Sequence, residues 1–213
     1  ELMMEVARKA ASDAGPGQAL LDEIDAIAAL GLTVDSPESG SGAQGMVRNV
    51  PHAVCAALNI DPAEKLYTHS GGNTPQMLVN RYAEKIANGE VSAVLLVGAE
   101  ALHTMIARLK SGLDLTAWMD DSGGDPQMLG NARAAASEHE MAHTMHMPSV
   151  TYPLFENALR GKYGLSLQEH RSKLGKLYQG FNAVAAKNPL SWFPTERSAQ
   201  EISTVSAGNR YVG

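Results

Sequence analysis

The stretch that decides the fold is Tyr67-Thr68-His69-Ser70-Gly71-Gly72-Asn73-Thr74-Pro75-Gln76. It is typical of a strand that runs into a glycine turn and then directly into a helix. Thr74 is predicted as the N-cap of that helix and Pro75 as its first residue, where the missing N–H of proline costs no hydrogen bond. Backbone N–H groups at a helix start stabilise developing negative charge. We therefore expect an anion-stabilising turn here.

The residues after this turn predict a helix and then a second strand. Apolar residues recur at helical spacing at Leu78, Val79, Tyr82, Ala83 and Ile86, and Asn88-Gly89 supplies a helix stop. Residues 91–97 form a short apolar run rich in β-branched side chains, which is typical of a buried parallel strand. Strand, glycine turn, helix and strand together make a βαβ unit.

The same alternation extends upstream. The sequence predicts a helix over residues 1–14, a strand over 26–30, a helix that starts near Asn49 or Val50, and a strand over 65–68. Helices that alternate with short buried strands predict a layered α/β domain with a mostly parallel sheet. We assign this domain to residues 1–110 and expect its first strand to be missing, since the chain opens within a helical pattern.

The downstream part of the chain has a different pattern. Residues 111–126 are polar and glycine-rich, and helices are predicted over 152–163 and 166–186. Ser166 and Glu169 have the spacing of a capping box. We assign residues 111–213 to a helical loop or lid domain, truncated before the chain returns to the sheet. Such an insertion is expected over the carboxyl edge of the sheet, where α/β proteins bind ligands.

Composition narrows the class of protein. The formal net charge is −6, so there is no basic signature for nucleic acid or an anionic membrane, and we expect neither as a partner. A single cysteine allows no internal disulfide, and we expect a cytoplasmic protein. No run approaches the roughly 20 apolar residues of a membrane-spanning helix. A homodimer in which strand 65–68 pairs across a two-fold axis is compatible with the sequence, although no residue requires it.

Several motifs support a family resemblance. They are Ser70-Gly71-Gly72-Asn73-Thr74-Pro75-Gln76, Ile86-Ala87-Asn88-Gly89, Val94-Leu95-Leu96-Val97-Gly98-Ala99-Glu100-Ala101, Glu140-Met141-Ala142-His143 and Tyr152-Pro153-Leu154-Phe155-Glu156-Asn157-Ala158-Leu159-Arg160. With them the chain resembles the thiolase superfamily, in particular acetyl-CoA acetyltransferases similar to the sterol-carrier-protein-type thiolases. The likeness covers the N-terminal half of such a protein with its loop domain, so we expect a fragment of a longer protein. It implies an acyltransferase of lipid metabolism that acts on acyl-CoA thioesters, with coenzyme A as substrate and no further cofactor.

The predicted catalytic turn departs from the family pattern. Thiolases carry a nucleophilic cysteine at this helix start, and the resemblance places that position at or near Gly72. Ser70 is the nearest hydroxyl nucleophile and His69 is its neighbour, although adjacent strand residues point to opposite faces. Alternatively, Ser70 and Asn73 only cap the turn, and His69 is either an oxyanion-hole donor or a half-buried structural histidine. The histidine and second cysteine that complete thiolase chemistry fall in the unmatched half, so this chain alone is expected to be inactive.

The predicted substrate- or CoA-binding residues are Asn73, Thr74, His146, Met147 and Trp192. The resemblance aligns His146-Met147 with a family stretch that lines the acyl and pantetheine pocket, with Pro148 in place of glycine. Met147 could equally pack in a core. Trp192 either packs on a ligand or closes the loop domain.

Other interpretations compete with acyl transfer. One is a non-catalytic relative that binds CoA or lipid. Another is a zinc hydrolase, because His139-Glu140-Met141-Ala142-His143 places two imidazoles on one helix face. Our primary interpretation, acyl transfer, assigns no metal. Cys55 is expected to be buried and inert. Glu100 either faces the site or caps the helix that follows it.

Overall fold

The computed structural model describes residues 1–35, 46–131, 134 and 136–209. The elements, in chain order, are α1 Leu2–Asp13, α2 Gln18–Asp22, β1 Ala26–Ala29, a 3-10 turn Thr33–Asp35, α3 Val50–Leu58, β2 Glu64–Thr68, α4 Thr74–Ala87, β3 Val94–Val97, α5 Leu102–Lys110, a 3-10 turn Thr116–Trp118, β4 Gln127–Leu129, α6 Glu138–Ala142, α7 Pro148–Lys162, α8 Leu167–Ala185 and α9 Ala199–Ser203. They form two compact units, Glu1–Arg133 and Ala134–Gly213.

The first unit is built on a four-stranded parallel sheet with the strand order β3-β1-β2-β4. In the sheet, β2 lies on one side of β1 and β3 lies on the other. The connection from β1 to β2 and the connection from β2 to β3 therefore run in opposite directions across the sheet. Crossovers between parallel strands are right-handed, so two that run in opposite directions place their helices on opposite faces. This arrangement confirms the layered α/β class and the parallel sheet predicted from the sequence.

Alternate residues of β1 contact the two helical layers. Ile27 and Ala29 pack in a cluster with residues of α1, α2 and α3. Ala26 and Ala28 pack in a second cluster with Leu78 and Tyr82 of α4. All four β1 residues are fully buried, as expected for the central strand of a sheet covered on both faces.

Local signals fix several helix starts. The Asn49 side chain accepts a hydrogen bond from the backbone N–H of His52, so Asn49, one of the two predicted candidates, caps α3. Capping boxes begin α6, α8 and α9, formed by Ser137 with Glu140, Ser166 with Glu169, and Ser198 with Glu201. The predicted Ser166–Glu169 box is confirmed, and the other two use the same Ser-x-x-Glu spacing.

Three details of the predicted βαβ unit differ from the structure. Asn73, and not Thr74, occupies the N-cap position of α4. The Asn73 side chain makes no capping hydrogen bond, so the proposal that it caps the turn through its side chain is wrong. Val79 and Ile86 are 49% and 47% exposed, because only the narrower stripe of Thr74, Leu78 and Tyr82 reaches the sheet. β3 starts at Val94 and is mostly half-buried, because it is an outer strand of the sheet.

The chain segment after α5 also differs from expectation. β4 pairs with β2 through Leu66–Gln127, Tyr67–Met128 and Thr68–Leu129, which joins this segment to the sheet. The compact units accordingly divide after Arg133, whereas the sequence places the domain boundary after residue 110. The same pairing removes the basis for a dimer built on strand 65–68, since β2 lies between β1 and β4.

The second unit is helical. Its longest helices, α7 and α8, are joined at Gly164, and the His170 ring lies 3.0 Å from the Glu156 carboxylate between them. Across the described part of the chain, no helix combines the length and the apolar character needed to cross a bilayer.

Candidate functional site

A cleft of about 550 Å³ lies at the carboxyl ends of the three strands β3, β1 and β2. Its lining comprises Leu30, Gly31, Thr33, His69, Ser70, Gly71, Gly72, Thr74, Gly98, Ala99 and Glu100. These residues follow the three strands directly. Open parallel sheets bind their ligands at this edge.

The turn after β2 presents backbone N–H groups at the cleft. Thr74 N–H donates to the Gly71 carbonyl at 3.1 Å and Met77 N–H donates to the Asn73 carbonyl at 3.1 Å. Among the residues that the structure places, none accepts from the N–H groups of Gly71, Gly72 or Asn73. These donors stand at the positive end of the 14-residue α4. The turn can therefore stabilise an anion or an oxyanion.

The turn is held against β1 by a close backbone approach. Gly31 N–H donates to the Thr68 hydroxyl at 3.0 Å, and Thr68 is buried. A Cβ atom on Gly31 would lie 2.3 Å from the Thr68 carbonyl oxygen and 2.7 Å from the Ser70 nitrogen. No side chain fits there, so glycine at position 31 lets the two strand ends meet.

The buried side chain of Tyr67 links β2 to the segment that follows β1 by hydrogen bonds. The Tyr67 hydroxyl donates to the Asp35 carboxylate at 2.5 Å and accepts from Leu32 N–H at 3.0 Å. Burial and the neighbouring Asp35 raise the pKa of Tyr67 well above its usual range. Tyr67 therefore stays neutral and acts as a structural link between β2 and the segment after β1.

Glu100 lies on the rim of the cleft, which supports one of its two predicted positions. Its Oε1 accepts from the backbone N–H of Thr33 at 2.6 Å and from the Thr33 hydroxyl at 2.7 Å. The N-cap of α5 is Ala101 and has no side-chain capping bond, so the helix-capping interpretation of Glu100 is wrong. The pair joins the segments after β1 and β3. No local pattern points to Thr33, because its partner is 67 residues away.

The three predicted catalytic positions lie together in the cleft. Ser70 and Gly72 are exposed and His69 is half-buried. Within the described residues, neither the Ser70 hydroxyl nor the His69 ring has a hydrogen-bond partner, so no Ser–His pair is formed. A Cβ on Gly72 would meet no atom within 4 Å. Position 72, at or near which the resemblance places the nucleophile, is thus open but carries no side chain.

Cys55 does not replace that nucleophile. It is buried in α3, as predicted, within the cluster that packs on the face of the sheet formed by Ile27 and Ala29. Burial raises the pKa of its thiol to about 11, which suppresses the reactive thiolate at neutral pH.

The other predicted binding residues are distributed between the units. Thr74 lines the cleft, and its hydroxyl donates to the His69 carbonyl at 3.5 Å. Asn73 is exposed next to the cleft. His146, Met147 and Trp192 belong to the second unit, and all three are exposed. The core-packing alternative for Met147 is wrong, since the side chain is 46% exposed.

The geometry of α6 does not support the zinc interpretation. α6 is a single exposed turn in which the Glu140 carboxylate accepts from the N–H and hydroxyl of Ser137, each at 2.7 Å. These hydrogen bonds hold the pKa of Glu140 below its usual range. The rings of His139 and His143 approach with centroids 4.8 Å apart. Within the described ranges, no three His, Cys, Asp or Glu side chains are grouped as metal ligands.

Comparison with known proteins adds a structural relative. No family model matches the chain, and no curated protein matches it. Among solved structures, a crystal structure of a monomeric SCP2-thiolase-like protein type 1 from Mycobacterium smegmatis superposes with a TM-score of 0.64 and 29% sequence identity. The alignment covers 98% of this chain and 36% of that protein, so the chain spans about a third of its relative's length. The chain has a thiolase-like fold of the SCP2 type, as the resemblance implied.

Proposed function

We propose that the cleft binds an acyl-CoA thioester and that the chain serves thiolase-like acyl transfer as a recognition element without a nucleophile of its own. One observation carries the proposal. The N–H groups of Gly71, Gly72 and Asn73 lie beside an open cleft at the carboxyl edge of the sheet and have no described acceptor. A thioester carbonyl is the kind of group that such donors polarise.

The lack of a side chain at Gly72 favours ligand binding over catalysis as the function of the cleft. No cysteine lies in the cleft, and a serine needs an adjacent base to become nucleophilic. The fold likeness to an SCP2-thiolase-like protein supports a CoA thioester as the ligand class. A Gly at this position leaves room for the thioester where a nucleophile would stand.

A binding experiment tests the proposal. The purified chain is titrated with acetyl-CoA by calorimetry, beside Gly72→Leu and the control Gly180→Leu. A Cβ at either glycine meets no atom within 4 Å, so both variants should fold. We expect at least a tenfold loss of affinity for Gly72→Leu and unchanged affinity for Gly180→Leu. Absence of binding by the unmodified chain, or equal binding by all three proteins, would contradict the proposal.

Direct acyl transfer through Ser70 is the second candidate. The exposure of the Ser70 hydroxyl in the same cleft as His69 favours it. The chain would be incubated with acetyl-CoA and its intact mass measured. A covalent acetyl adduct that disappears in Ser70→Ala would establish transfer, whereas an unmodified mass despite measurable binding would leave recognition as the function.

A further inference from the structure

The charge of the chain is concentrated unevenly. Residues 1–133 carry nine Lys or Arg and seventeen Asp or Glu, a formal charge of −8. Residues 160–187 carry six basic side chains and one acidic side chain, a formal charge of +5. The basic residues are Arg160, Lys162, Arg171, Lys173, Lys176 and Lys187. The acidic one, Glu169, is engaged in its capping box with Ser166. The net charge of the whole chain therefore hides a strongly basic segment.

The same segment exposes large apolar side chains. Leu177, Phe181 and Val184 recur at i, i+4 and i+7 along α8, and Val184 is 71% exposed. Leu190, Trp192 and Phe193 follow the helix, and Trp192 is 90% exposed. We call these six residues the α8 apolar surface. So many exposed aromatic and branched side chains in one segment indicate a binding surface.

The opposite side of α8 is already covered. A Cβ on Gly175 would lie 2.4 Å from the Ala199 carbonyl oxygen, so α9 packs directly on the helix backbone. The Asn182 side chain donates to the Thr195 carbonyl at 2.9 Å and accepts from Arg197 N–H at 2.6 Å. The helix is fixed on this side, and the apolar residues are those left facing solvent.

We propose that the second unit binds the surface of an anionic lipid bilayer through the α8 apolar surface and the basic residues of the 160–187 segment. Apolar and aromatic side chains on a helix rich in Lys and Arg are the features of helices that lie in the headgroup region. Trp is favoured at that depth, and Lys side chains extend from it towards phosphates. The helix lies on the bilayer and does not cross it.

Charge selects this occupant over a second copy of the chain. Two such surfaces facing each other would oppose two segments of charge +5, which is unfavourable. Exposed lysines are also depleted in the cores of protein interfaces, whereas an anionic bilayer attracts each of them.

Vesicle sedimentation tests the proposal. The full chain is mixed at low salt with vesicles of pure phosphatidylcholine or of equal parts phosphatidylcholine and phosphatidylserine. We expect binding to the anionic vesicles, a blue shift of the Trp192 emission, and release by added salt. Lys176→Gln with Lys187→Gln should weaken binding by about fivefold per charge, about 25-fold in total. The control, Lys9→Gln with Lys110→Gln, removes the same charge from the first unit and should bind as the unmodified chain does.

The apolar contribution is tested separately. Trp192→Ala with Phe193→Ala should weaken binding at least tenfold, while Leu2→Ala with Val6→Ala, an exposed pair in the first unit, should have no effect. Failure to sediment with anionic vesicles would overturn the proposal. So would equal binding to both vesicle types, or concentration-dependent dimerisation that either second-unit variant abolishes. Acetyl-CoA binding by the lysine variant, Lys176→Gln with Lys187→Gln, is expected to be unchanged, which keeps this outcome separate from that of the cleft.

Discussion

The close approach at Gly31 leads to a quantitative prediction. In Gly31→Ala the added Cβ would lie 2.3 Å from the Thr68 carbonyl oxygen, 2.7 Å from the Ser70 nitrogen and 2.8 Å from the His69 carbonyl carbon. All three atoms belong to the backbone, and separations under 3.0 Å are essentially never seen for a real Cβ. The end of β2 must therefore move by most of an ångström.

The expected destabilisation follows from the kind of atom displaced. Overpacking lowers the free energy of unfolding by about 1–3 kcal/mol when side chains can adjust. Because the atoms near Gly31 belong to the backbone, we expect Gly31→Ala to lose about 2–3 kcal/mol. The chain has only two tryptophans, so in a Trp192→Phe background the fluorescence of Trp118 reports on the first unit alone. Urea unfolding followed at Trp118 measures the change in free energy of unfolding.

Substitutions at two further glycines serve as comparisons for the destabilisation by Gly31→Ala. A Cβ on Gly98 would lie 3.2 Å from the Leu30 Cβ and 3.3 Å from its Cδ1, where a flexible side chain can shift, and one on Gly72 would meet nothing within 4 Å. We expect Gly98→Ala to cost less than about 1 kcal/mol and Gly72→Ala to be neutral. If Gly31→Ala unfolds at the same urea concentration as Gly72→Ala, the close approach does not hold the turn in place.

Further predictions concern the helix start, an ion pair and the buried thiol. A Gly72→Cys thiol at the start of α4 should have its pKa lowered from about 8.5 to about 7.5 and react with iodoacetamide at neutral pH about threefold faster than a Gly180→Cys control, because the larger thiolate fraction outweighs the lower nucleophilicity of that thiolate; equal rates would contradict the anion-stabilising role. Burial by itself raises the pKa of Glu64, but hydrogen bonds from Lys85 and Tyr82 outweigh it and lower that pKa. The stabilisation by Glu64 is therefore complete above the unfolded pKa of about 4.3 and is lost as pH falls through the lower folded value. Urea midpoints at neutral pH and near pH 3 should differ less in Glu64→Gln than in the unmodified chain. Cys55 should resist a thiol reagent at about pH 8 in the folded chain and react fully in urea, whereas reaction without urea would contradict its burial.

Sequence patterns predicted the elements that have strong local signals. The strand over 26–30, the Asn49 cap and the Ser166–Glu169 box each depend on residues close together in the chain, and each is present. β4 was missed because it has only three residues, of which Gln127 and Met128 are exposed, so it has no hydrophobic pattern. It exists because β2 offers a free edge there, a tertiary effect that overrides local propensity.

The candidate site was predictable in its position but not in its supports. The glycine turn located the cleft, since a strand that enters a helix through such a turn ends at the carboxyl edge of the sheet. The Thr33–Glu100 pair and the contact of Gly31 with Thr68 join residues far apart in sequence. No spacing rule connects such residues, because only the strand order brings them together.

The two units have contrasting routes to their folded states. The second unit starts three of its helices with signals contained within four consecutive residues. Such low contact order favours helix formation within microseconds. The sheet cannot form until Ala26 meets Val94, far along the chain. In a refolding experiment, the amides of α8 should therefore become protected from hydrogen exchange before those of β1.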